Sequence, residues 1–93
     1  MKRTIRQALC RLRKVQDDIY DGKCDTTGAQ VEITINSPTP QYNAFYINVN
    51  ALRYNSRASH LCDCLMRSLN NDTTQEEVDA LLAEVSEFLN YPV

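Results

Sequence analysis

Tryptophan is absent from this 93-residue chain, glycine occurs twice and histidine once. Without tryptophan an amphipathic helix lacks a strong anchor at a membrane interface. No apolar run approaches the ~20 residues that cross a bilayer. The basic start Met1-Lys2-Arg3 continues into Arg6, Arg11 and Arg13 rather than into the unbroken apolar segment of a signal peptide. The expectation is a soluble, cytoplasmic protein with no membrane partner. Gly22 and Gly28 are separated by charged and polar residues, which is unlike a phosphate-cradling loop. His60 stands alone, with no nucleophile motif around it, so no catalytic residue is assigned and an enzyme is not expected.

The four cysteines, Cys10, Cys24, Cys62 and Cys64, allow three disulfide pairings in an oxidising compartment. Reduced thiols fit a chain without a signal peptide better. His60, Cys62 and Cys64 are the one cluster of soft ligands. On a helix Cys62 would point about 160° away from Cys64, and no second ligand pair of zinc-like spacing accompanies them. No metal or cofactor is implied.

Acidic residues are missing from positions 1–14, which carry Lys2, Arg3, Arg6, Arg11, Arg13 and Lys14. Residues 63–93 are the reverse, with Asp63, Asp72, Glu76, Glu77, Asp79, Glu84 and Glu87 against Arg67 alone. The formal net charge of −2 conceals this asymmetry. One end of the chain can attract the other, or each can attract a partner.

What is present is a globular composition, 43% apolar and 24% charged, in a length that suits one small domain burying roughly two thirds of its unfolded surface. The organising stretch is 30–50. Val31, Ile33 and Ile35 alternate with Glu32, Thr34 and Asn36, and Phe45, Ile47, Val49 and Ala51 alternate with Tyr46, Asn48 and Asn50. Both patterns have the two-residue period of a strand buried on one face. Ser37-Pro38-Thr39-Pro40-Gln41 between them reads as a hairpin loop, because proline lacks the amide proton that a sheet interior requires.

Helices are expected on both sides. Ile5, Ala8, Leu9, Leu12, Val15 and Ile19 form an apolar stripe on a helix over 4–20, with Thr4 and Gln7 at capping-box spacing and Gly22 as the exit. Its charges oppose its dipole, with Lys2, Arg3 and Arg6 at the positive end and Asp17, Asp18 and Asp21 at the negative end. Ala58, Leu61, Cys62, Leu65 and Leu69, with Met66 at the edge, suggest a second helix over 56–69 capped by Asn55 or Ser56. A third helix over 74–90 carries Val78, Leu81, Leu82, Val85, Phe88 and Leu89, and capping-box pairs stand at its start. The expected fold is therefore α+β, a small two-layer domain in the order α-β-β-α-α, with a β-hairpin packed against the helices.

Two surfaces carry functional content. Tyr42, Tyr46, Asn48, Asn50 and Tyr54 place amphipathic rings and amides on a face of little charge, which suits contact with another protein chain. A homodimer joined at the hairpin edge is one form of such a contact. The leading expectation is a small non-enzymatic protein–protein interaction or regulatory protein. The alternative is a nucleic-acid-binding protein in which Arg3, Arg6, Arg13 and Lys14 of the first helix contact phosphates, with Tyr46 available to stack on a base.

Overall fold

The computed structural model describes residues 2–24, 30–39, 41, 44–54 and 60–93, of which 30, 39, 52–54 and 60–63 are described by their backbone alone. The elements in chain order are α1 (Arg3–Tyr20), β1 (Gln30–Thr39), β2 (Ala44–Tyr54), β3 (His60–Leu69) and α2 (Gln75–Leu89). The class is α+β, with the order α-β-β-β-α.

The expected stripe of α1 is the buried one, since Ile5, Ala8, Leu9, Leu12 and Val15 are all within 3% of full burial. The expected cap is not formed. The helix begins at Arg3 with Lys2 in the cap position and no side-chain cap bond, so Thr4 already lies inside the first turn, where its hydroxyl cannot cap. Gly22 ends the run at φ +74°, a conformation that costs glycine little.

β1 and β2 pair antiparallel in the register the alternation requires, with Ile33 opposite Val49 and Ile35 opposite Ile47. The expected five-residue loop is shorter than anticipated, because β1 continues through Pro38 to Thr39 with a register shift between Asn36 and Thr39. Proline is tolerated there because β1 is an edge strand and the ladder is already interrupted.

Over 60–69 the structure departs from the expected helix. This stretch is a strand, antiparallel to β2, with Phe45 opposite Leu69 and Val49 opposite Leu65. Leu61, Leu65 and Leu69 are spaced by four, a spacing that keeps residues on one side of a helix and also on one face of a strand. A third strand decides the matter physically, because it gives the second edge of β2 its hydrogen-bond partners and widens the sheet beneath two helices. β2 is consequently central, in the sheet order β1-β2-β3. Dimerisation through that edge of the hairpin is excluded because β3 occupies it.

α2 begins with the anticipated capping box. Thr74 accepts from the Glu77 amide at 3.2 Å, and the Glu77 carboxylate accepts from the Thr74 amide at 3.4 Å. It ends at Asn90, which takes a left-handed conformation with φ 51°.

Both helices lie on one side of the sheet and run in the same direction. A groove at their starts is lined by Arg3, Arg6 and Ala8 from α1 and by Gln75 and Val78 from α2. Beyond the end of α2, the Tyr91 hydroxyl donates to Asp18 near the end of α1 at 2.7 Å. The main core joins Ala8, Leu12 and Val15 to Ile33, Ile47, Val49 and Leu69 and to Val78, Leu81, Leu82, Val85 and Leu89. A smaller cluster of Ile5, Leu9 and Phe45 closes one end. Among the described residues no helix is long and apolar enough to cross a membrane.

Candidate protein-docking face

Both helices cover the same side of the sheet, and among the described residues no second layer lies on the other side. The strand registers arrange it as three rows. Asn36, Tyr46 and Ser68 form one, Thr34, Asn48 and Met66 the next, and Glu32, Asn50 and Cys64 the third. The alternation of β2 sends Phe45, Ile47, Val49 and Ala51 into the core and leaves Tyr46 50% exposed beside half-buried Asn48 and Asn50. Met66 is 64% exposed. An open hollow of about 440 Å³ is lined by Asn36, Tyr46, Asn48, Met66, Arg67 and Ser68. Glu32 is the only ionisable carboxylate in the three rows. An amphipathic ring, a polarisable thioether and several amides can be desolvated at lower cost than charged groups, and they keep polar atoms available for cross-chain hydrogen bonds.

Tyr46, Asn48 and Asn50 are thus brought together as the sequence suggests. Tyr42 lies outside the described residues, and the side chain of Tyr54 is likewise not described. Sequence reasoning missed Met66 and Ser68, since a helical reading of 56–69 put them on a different element. The signal available was the alternation of Leu65, Arg67 and Leu69 with Cys64, Met66 and Ser68, which matches β3 as observed. Arg67 starts from the inner side of β3 and reaches α2, where it pairs with Glu84. Both side chains are nearly half exposed, so this pair adds little to stability.

The basic helix occupies a separate surface. Arg3, Arg6 and Arg13 are exposed, and among the described residues none of them is in an ion pair. Lys14 lies 3.1 Å from the Asp18 carboxylate one turn later, with its own side chain 75% exposed. Arg11 differs from the others in that it turns toward α2 and donates to the carbonyl of Val93. Asp18 is itself buried and receives both Tyr91 and Lys14. The hydrogen bond from Tyr91, followed by that from Lys14, holds its carboxyl below the ordinary value of 3.8. The same bond raises the Tyr91 phenol above 10.0, because ionisation would forfeit it. These groups fasten the C-terminal residues to α1, and the Val93 amide, donating to Ser86 at 3.0 Å, ties them to α2.

Cys10 and Cys64 are exposed and Cys24 is buried. The angular argument that separates Cys62 from Cys64 on a helix does not apply to β3, and the side chains of His60 and Cys62 are not described. Among the described residues no group of three or more His, Cys, Asp or Glu is placed to hold a metal ion. Comparison with protein-family models, curated proteins and solved structures finds no match to this chain.

Proposed function

We propose that this is a non-enzymatic interaction protein that receives another protein chain on the open side of its sheet. The observation that carries the reading is the one-sided layering. The helices shield the inner face, while the weakly charged outer face displays Tyr46 and Met66 with half or more of each in solvent. An exposed patch of this composition on a rigid sheet is the kind of surface that protein interfaces use, with tyrosine as a frequent energetic centre.

The test is a double variant, Tyr46→Ala with Asn48→Ala, which leaves the core side chains in place. It retains the circular dichroism of the native fold and loses protein partners captured by the wild type, and the loss is then reproduced with purified components. Equal binding by variant and wild type, in capture and in sedimentation across a concentration series, refutes the assignment of this face.

A second reading has its own support in the exposure of Arg3, Arg6 and Arg13 without ion pairs among the described residues, as phosphate contact along α1 requires. Against it, α2 lies beside α1 and starts with Glu76, Glu77 and Asp79, which repel phosphates approaching from that side. Nucleic-acid binding that weakens steeply with salt and is lost in Arg6→Ala with Arg13→Ala would favour this reading. Retention of binding in that variant would remove it.

A further inference from the structure

The layer formed by α1 and α2 carries opposite charges side by side on its solvent face. Arg3 and Lys14 of α1 are both exposed and stand eleven residues apart, as do Glu76 and Glu87 of α2, which are also exposed. Eleven residues are three turns plus about 20° of rotation and about 16 Å of rise. Each pair therefore lies along one line of its helix, and the two lines have equal length. The residues between them are short or flexible. Gln7 and Cys10 lie between the cations, and Ala80 and Ala83 lie between the anions, all four exposed. Among the described residues Arg3 makes no ion pair, and Lys14 pairs with Asp18 of its own helix and with no other carboxylate.

We infer that this layer is the interface of a two-fold dimer in which α1 of each copy lies along α2 of the other. The symmetry allows this in one way. Because α1 and α2 run in the same direction, a two-fold axis parallel to them places α1 opposite the partner copy's α2 without reversing either helix. In the matching register Arg3 meets Glu76, Gln7 meets Ala80, Cys10 meets Ala83 and Lys14 meets Glu87, and the symmetry gives each contact twice. The other face-to-face arrangement, with the axis across the helices, sets α1 against α1 and α2 against α2 in reversed directions. Arg3 would then meet Lys14 and Glu76 would meet Glu87, so like charges oppose each other. The preferred arrangement also answers the reversed charge pattern of α1, because an acidic residue comes to the basic start of the helix.

Ala80 and Ala83 let the backbones approach, while exposed ion pairs steer the association more than they strengthen it. The dimer is accordingly weak and salt-sensitive, since charges at such a surface are screened over about 8 Å at physiological ionic strength. The open sheet face remains free in it, so Tyr46→Ala leaves this dimer unchanged, and the failure of either reading can be told from failure of the other.

The experiment uses two charge-reversed forms of the full chain. One carries Arg3→Glu and Lys14→Glu, and the other carries Glu76→Lys and Glu87→Lys. In sedimentation at low salt the wild type shows concentration-dependent dimers. Each variant alone dimerises at least tenfold more weakly, and an equimolar mixture of the two recovers wild-type association, because every contact in the mixed dimer is again between opposite charges. A wild type that stays monomeric at high concentration overturns the inference, as do variants that associate normally or a mixture that does not recover. Ala83→Cys provides a test without charge change. Oxidised glutathione is expected to convert it into a covalent dimer on non-reducing gels, with mass spectrometry linking Cys10 to position 83. A yield no greater than that of the wild type, which already exposes Cys10 and Cys64, would count equally against it.

Discussion

Ile47 and Tyr46 are consecutive residues of the central strand, and the architecture assigns them opposite fates. Ile47 is 1% exposed and packs in the main core, whereas Tyr46 is 50% exposed on the open face. Ile47→Ala removes three carbons from a site flanked by Ile35 on one neighbouring strand and Arg67 on the other. At about 0.8 kcal/mol per buried methylene the transfer loss alone is about 2.4 kcal/mol. Incomplete closure of the vacated space brings the total to about 3–4 kcal/mol, inside the range of about 2–5 kcal/mol for such truncations. Tyr46→Ala removes a larger side chain, but one already half in water, and costs less than about 1 kcal/mol. A chain of this length has a total stability of roughly 5–14 kcal/mol at about 0.05–0.15 kcal/mol per residue, so the first loss is severe and the second slight. Urea unfolding at unchanged m-value measures both. Heating should separate the variants as well, since a small domain loses roughly 4–8 °C of Tm per kcal/mol. Equal losses, or a larger loss for Tyr46→Ala, would show that the strand faces are assigned the wrong way round.

Because β3 is an edge strand, alternate amides between 64 and 69 should exchange slowly with deuterium while their neighbours exchange quickly, whereas a helix over that stretch would protect consecutive amides. Thr74→Ala removes the cap that accepts the Glu77 amide and should cost about 1 kcal/mol in chemical unfolding. Asp18 titrates below its ordinary value, so its contribution is fully present above about pH 4 and is lost as acid protonates the folded form. Stability measured from about pH 5 down to about pH 2.5 should therefore fall more steeply for the wild type than for Tyr91→Phe, which lacks the main cause of the shift, and parallel curves would refute the link.

The sequence by itself determined those parts of the protein whose cues are local. The stripe from Ile5 to Val15 is buried because its spacing selects one side of a helix. The alternation through Val31–Ile35 and Phe45–Ala51 selects one strand face, which is why Tyr46, Asn48 and Asn50 group together on the residue pattern alone. The Thr74 and Glu77 cap needs only residues within one turn of each other. Tertiary structure alone decided the state of residues 60–69. Their leucines recur every four positions, which suits a helix and a strand equally, and the deciding partner was the unpaired edge of β2, which no local window contains. That choice made β2 central, closed the β2 edge of the hairpin to dimerisation and brought Met66 and Ser68 beside Tyr46. The parallel placement of α1 and α2, which sets a basic line beside an acidic one, follows from the same odd number of strands between them. With two strands the helices would run in opposite directions, and with three they share one.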